Sequence, residues 1–140
     1  MAAQRPIILE ALRSRLEIAV DDVAERVCFP WDDALDPTDG PMIQIAMGES
    51  TVDNGESIGS WLHTIQLKIG AIVAGAYDYP AAWELLNTAS AALVADYTLG
   101  GTCSRITITG AADSIETGGQ KIMWPHLVAA IDYLTPKGAL

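Results

Sequence analysis

Trp61-Leu-His-Thr-Ile-Gln-Leu-Lys-Ile-Gly-Ala-Ile-Val73 decides the fold. Every second side chain, Trp61, His63, Ile65, Leu67, Ile69, Ala71 and Val73, falls on one side, and Thr64, Gln66 and Lys68 interleave. A period of two over this length predicts a long strand from about Ile58 to Ala74 with one buried face. Upstream, Gly48-Glu-Ser-Thr-Val-Asp-Asn-Gly-Glu-Ser-Ile-Gly-Ser60 is glycine-rich and acidic, too long and polar for a tight hairpin turn. It reads as an arm loop, 48–60. Before it, Ile43, Ile45 and Met47 alternate with Gln44 and Ala46, a short first strand whose simplest pairing with the second is antiparallel.

Working outward, Leu9, Leu12, Leu16, Val20, Val23 and Val27 recur at spacings of three and four behind Pro6 and predict a first helix. Its end is open, since Ala19-Val-Asp-Asp-Val-Ala-Glu25 reads equally as more helix or as an irregular stretch toward Cys28. Trp31 to Pro41 carries the residues of a loop. After Ala76-Tyr-Asp-Tyr-Pro80 a second, alanine-rich helix runs to about Tyr97 and stops at Gly100-Gly101, with Ala82, Leu85, Leu86, Ala89, Leu93 and Val94 along one side. Ile106 and Ile108 mark a third strand, and Leu127 to Leu134 a fourth. Between them 110–121 reads as a second polar loop.

The order predicts one α+β domain over residues 1–140: a four-stranded, mainly antiparallel sheet with both helices packed on one face. The other face carries Leu62, Val128, Ala130 and Leu134 among polar residues, too apolar for plain solvent surface. With 50% hydrophobic and only 19% charged residues, part of the surface is expected to be covered by partners.

The charge balance, 18 Asp and Glu against 8 Lys and Arg, gives a net charge of -10. That argues against tight binding to nucleic acid, which needs Lys and Arg to displace counterions. It is compatible with a wall that DNA slides past. Two distant cysteines imply neither a disulfide framework nor a zinc ribbon. The amphipathic start, with no apolar run of spanning length, leads to the expectation of a soluble protein made in the cytosol, with no membrane partner.

No residue pattern announces chemistry, and no catalytic, cofactor or metal residues are assigned. Cys28, Cys103, His63 and His126 lack the paired short spacing that pre-orients zinc ligands, and His63 reads as a packed core histidine. Cys103 with a histidine base has no supporting signature and reads as a small buried residue. Asp32, Asp33, Asp36 and Asp39 have the wrong spacing for a calcium loop and read as a capped, solvated turn. Trp31, Trp61, Trp83 and Trp124 stand near element boundaries, either plugging the ends of the core or anchoring contacts between subunits.

Arg5-Pro-Ile-Ile-Leu-Glu-Ala-Leu12, Gly40-Pro-Met-Ile-Gln-Ile-Ala-Met47, Trp61 to Ile69 and Leu127 to Leu134, in this order and with the arm between the first two strands, resemble the tail terminator proteins of long-tailed phages, the minor tail protein U type. The resemblance implies a virion structural protein at the tail-neck junction, synthesised in the host cytoplasm. It further implies a hexameric ring that caps the tail tube, stops its polymerisation and meets the head-tail connector protein while DNA passes through the lumen without specific binding. On that reading the arm residues Glu49, Val52, Asp53, Glu56 and Ile58 serve the interface. Asp53, Glu56, Asp113 and Glu116 are candidates for an acidic lumen lining, and Trp31, Trp61, Trp124, Leu62 and Leu134 for subunit contacts. The alternatives are another neck, head-completion or connector ring protein, and a small oligomeric enzyme or ligand-binding domain.

Overall fold

The computed structural model describes residues 3–23, 26–32, 41–53, 59–72, 79–117 and 121–140, with backbone alone at 22, 114–117 and 121–124. The first helix, α1 (Gln4–Ala19), buries Ile8, Leu9, Leu12 and Leu16, the stripe read from the sequence. It ends where Val20 leaves helical geometry, φ -112 and ψ 81, and a short 3-10 turn follows at Asp21–Val23. Val20 and Val23 nonetheless stay buried, so the apolar spacing continues past the helix on a different backbone. Val23 O accepts from Arg26 N (2.7 Å), and Arg26 O accepts from Ile43 N (3.0 Å). That brings Val27–Cys28 alongside the sheet as β1.

The strands β2 (Met42–Asp53), β3 (Ser60–Ile72), β4 (Arg105–Thr117) and β5 (Lys121–Pro136) complete a five-stranded sheet in the order β1-β2-β3-β5-β4. All neighbours are antiparallel except β1, which runs parallel to β2. The α+β class therefore holds, while the expected four-stranded, mainly antiparallel sheet gains a fifth, parallel strand of two residues. Val27 and Cys28 are too short a run to show a strand period, and they sit on the tail of a helical one.

Both expected loops are corrected as well. The arm's first six residues belong to β2, which reaches Asp53 opposite Leu62. Between Met47↔Leu67 and Ser50↔Ile65, β2 advances three residues while β3 advances two, a bulge. Gly48 favours it, because a Cβ there would stand 3.0 Å from Gln66 O, tighter than most packed Cβ contacts, and the neighbouring backbone would have to give way. Of the 110–121 stretch, 110–117 likewise belong to β4, with Thr117 opposite Lys121 and a bulge between Ile108 and Gly110, and 118–120 lie outside the described residues. Glycines that read as loop punctuation are re-phasing strands. Within the expected arm only 54–58, with Glu56 and Ile58, lie outside the described residues.

The second helix, α2 (Tyr79–Ala95), buries Ala82, Leu85, Leu86, Ala89, Ala92 and Leu93. It joins α1 over one face of the sheet, where Ile45, Ile65, Leu67, Ile69, Ala129, Ile131 and Tyr133 form the core with them. Small residues on α2 let Arg15 of α1 reach Ala92 O with both Nε (3.4 Å) and Nη2 (3.5 Å). Past Ala95 the chain turns through Leu99, Gly100 and Gly101, all at positive φ, and Ile106 N returns to Tyr97 O at 2.7 Å. The expected stop at Gly100-Gly101 is where the helix has already given way to turns.

Ile69→Ala, at a fully buried position of the central strand, is expected to destabilise the domain by about 2–5 kcal/mol, and Leu134→Ala on the outer face by under about 1 kcal/mol. Urea denaturation of both variants checks the pair.

Candidate interaction surfaces

The register places the outer face rung by rung. Leu62 and Leu134 are direct cross-strand partners, 37% and 60% exposed, with Asp53 beyond Leu62. The next rung holds Thr64, Asp132 and Arg105, where Thr64 Oγ1 donates to Asp132 Oδ1 at 2.7 Å. Gln66, Ala130 and Thr107 follow, then Lys68, Val128 and Gly110. Among the described residues no helix lies over this face: both helices bury their apolar sides on the other. It has an apolar end, a polar belt and a middle in which Ala130, Thr107, Val128 and Gly110 lie beside Gln66 and Lys68. Leu62 and Leu134, expected as contacts from separate strands, are one contiguous patch.

The four tryptophans divide. Trp83 packs partly buried on the core with Tyr79 edge-on at 6.3 Å. Trp61 is half-buried beside His63 on the helix side, and its Nε1 has no hydrogen-bond partner among the described residues. Trp31 is 60% exposed and stacks on Phe29 with ring centres 4.8 Å apart. Trp124 has its backbone in β5 opposite Ser114, and its side chain lies outside the description.

The acidic residues do not gather. Asp53 closes β2 on the rung of Leu62 and Leu134, whereas Asp113 pairs with Pro125. From Leu134 to Pro125 along β5 is roughly 30 Å at about 3.3 Å per residue. Asp113 is also engaged, its Oδ2 accepting from Tyr79 OH at 2.9 Å. Glu116 lies further along the same hairpin, opposite Ile122. A lining that used both groups would have to run the length of the strands. Of the arm residues, Glu49 sits exposed in the bulge and Val52, 46% exposed, stands across from His63.

Buried polar groups in this end of the domain centre on His63, which is fully buried. Its ring stacks on Tyr133 at 4.5 Å, and Arg5 Nε donates to Tyr133 OH at 3.5 Å. Thr135 Oγ1 donates to Ala139 O (2.9 Å), so the same oxygen accepts from His63 Nε2 (2.8 Å). The neutral ring thus carries its proton on Nε2, and Nδ1 has no hydrogen-bond partner among the described residues. Burial first, and then the Arg5 charge, lower its pKa from the ordinary 6.5, against a smaller opposite effect of the Ala139 backbone. This is the packed histidine read from the sequence.

The remaining groups stay apart. His126 is seven residues from the Tyr133 partner of His63 along β5, about 23 Å, so the two histidines cannot share an ion. Cys103 Sγ donates to Tyr97 O at 3.9 Å, and burial, with Asp96 and Asp132 adding to it, pushes the thiol up to about 11. Burial and then Asp32 raise Cys28, against a smaller pull from Arg13. Asp32 Oδ2 accepts from Phe29 N and from Arg13 Nη2, both at 2.8 Å, which makes it a turn cap. Among the described residues no cluster of three His, Cys, Asp or Glu is placed to hold a metal. A groove of about 590 Å³ between α1 and α2 brings Asp21, Glu84 and Thr88 together, with no basic or nucleophilic nitrogen or sulfur among its described lining.

Compared with protein-family models and with curated proteins, the chain matches none. Its surfaces therefore have to be read from their own chemistry. Sequence patterns identified the outer-face leucines and the core histidine. They missed how far the edge of β2 left unpaired among the described residues runs, because its continuation past Met47 lies beyond the glycine bulge that looked like a loop.

His63 fixes the sign of an acid response. A lowered folded pKa means that the unfolded chain takes up a proton first, so this contribution to stability is full above about 6.5 and lost as pH falls through the folded value. Urea midpoints measured between about pH 7.5 and pH 5 are expected to drop for the native chain, and His63→Phe to remove that part of the drop. Both cysteines are expected to react with a thiol reagent near pH 7.5 at least about a hundredfold more slowly in the folded protein than in denaturant, as stopped-flow labelling would read.

Proposed function

We infer that the chain is a ring-forming structural subunit of a phage neck, a tail terminator that caps the tail tube and joins it to the head connector. The single observation that carries this reading is the sheet face that no helix covers among the described residues, whose apolar end is Leu62 paired with Leu134. A face of that composition in a chain with 19% charged residues is suited to burial against a second copy. Two further features support it. The hairpins β2–β3 and β4–β5 provide the extended elements that ring subunits use to reach their neighbours. The net charge of -10 suits a passage through which phosphate moves without being held.

The resemblance in element order and in the Arg5–Leu12, Gly40–Met47, Trp61–Ile69 and Leu127–Leu134 segments chooses the terminator among ring proteins. A connector or head-completion ring is the second reading, favoured by the same outer face. The groove between α1 and α2, with two carboxylates and a hydroxyl, is the feature that an enzyme reading would start from.

Mixing the purified chain with tube subunits and viewing them by negative stain tests the terminator directly. Capped tubes of restricted length are the expected result; a monomer that leaves tube growth unchanged would overturn it. Replacing Leu62 and Leu134 together by Asp is expected to leave the melting temperature within a few degrees and to reduce the ring population at least about tenfold by light scattering.

A further inference from the structure

β2 has one edge that is paired with β3 except at the bulge and one that, among the described residues, is unpaired for most of its length. β1 covers only Ile43 and Gln44, opposite Val27 and Cys28, and then ends. From Ile45 to Val52 no strand among the described residues pairs with that side. The ladder tells which groups face outward. Ile43 N donates to Arg26 O on the β1 side, so Ile45 and Met47 turn their N–H and C=O the same way. Beyond the bulge, Ser50 and Val52 stand across from Ile65 and His63, which share the phase of Ile69 and therefore bond toward β5. Ser50 and Val52 thus also present their backbone groups to the open edge.

Alongside this edge runs a groove of about 540 Å³. Its apolar floor is Leu9 and Phe29, both buried, with Met47 at the strand side. Trp31 forms the wall, 60% exposed yet held in place: its ring lies within 6° of parallel to Phe29. Arg13 sits over the Phe29 ring at 4.9 Å, and Asp32 ties Arg13 to the Phe29 N–H. A rigid exposed aromatic beside a row of outward backbone donors and acceptors provides both parts of strand addition. The main chain supplies affinity, and a pocket for alternate side chains supplies selectivity.

Charge selects the occupant. A net charge of -10 attracts a basic segment. Locally, Glu49 projects exposed from the bulge; in the groove itself Glu10, with its side chain 68% exposed, lies 3.6 Å from Arg13 Nε and Arg5 shares the lining, so the attraction rests on Glu49 and the net charge. We propose that the β2 edge from Ile45 to Val52, with the groove walled by Trp31, binds an extended basic segment of a different protein. That segment adds to the sheet as a strand and seats one apolar side chain against Trp31, Phe29 and Leu9. Val52 adjoins the rung of Leu62, but the groove is built on Leu9 and Phe29 of the core side and the Leu62–Leu134 patch on the outer face, so this site stands without the ring reading.

The test is selection of random twelve-residue peptides displayed against the full chain, followed by titration of the synthetic winners. Enriched sequences are expected to alternate apolar with other residues between Lys or Arg. Their binding should weaken at least about tenfold in Trp31→Ala and in Met47→Pro, and saturating peptide should slow amide exchange at Ile45 and Met47 at least about tenfold. Trp31→Ala removes an exposed ring and keeps the test sound if the proline variant fails to fold. Failure to enrich any peptide, enrichment of acidic ones, or winners indifferent to Trp31→Ala that leave exchange at Met47 unchanged would each overturn the proposal. Protection of the same amides by raising the chain's own concentration would assign the edge to a second copy and overturn it too. The Leu62, Leu134 double variant should bind these peptides with unchanged affinity, so loss of the ring and loss of this site are separate outcomes.

Discussion

The central strand β3 holds the domain together because from Leu62 to Gly70 it is paired on both sides, broken only by the bulge opposite Gln66 on the β2 side. Leu67 pairs with Met47 on one side and Ala129 on the other, and Ile65 and Ile69 repeat the arrangement with Ser50 and Ile131, Ile45 and Leu127. All three side chains are essentially fully buried under the helices. A slip of one residue in either ladder would turn Thr64, Gln66 and Lys68 into the core and expose the isoleucines, so the register is tightly specified. Everything discussed above as a surface, including which residues share the outer face, follows from that single phase.

The same strand shows what sequence can and cannot convey. Its period of two is strong because one face is buried and the other wet, and Ile65 to Ile69 follow it without exception. Helices α1 and α2 were legible for the corresponding reason, with apolar stripes at three and four. The failures lie where a second physical demand overrides the pattern. At Gly48 the chain needs close approach to Gln66 O, and at Gly110 it needs a register shift against Val128. Glycine satisfies both inside a strand, and in one dimension it is indistinguishable from glycine in a turn. β1 fails differently, since two residues cannot display a period.

The interaction surfaces were legible to an intermediate degree. Leu62 and Leu134 could be assigned to the outer face by parity, but only pairing makes them neighbours. Asp53 and Asp113 share a charge and a loop-like setting in sequence, yet the ladders carry them to opposite ends of the sheet. Residue type predicts affinity for a kind of partner. Only register decides whether like residues act together.

The arrangement of β5 has a kinetic side. Each hairpin, β2 with β3 and β4 with β5, joins strands that are near in sequence, and each can form locally. The seam between β3 and β5 is different: Ile65 meets Ile131, and α2 with both of its flanking segments lies between them. Closing that span costs chain entropy before its contacts compensate, so the rate of folding is governed at this seam rather than within either hairpin. Until it closes, both hairpins expose strand edges and the apolar sides that the helices later cover. The newly made chain is therefore most prone to mispairing along the very line that, once formed, lies deepest in the sheet.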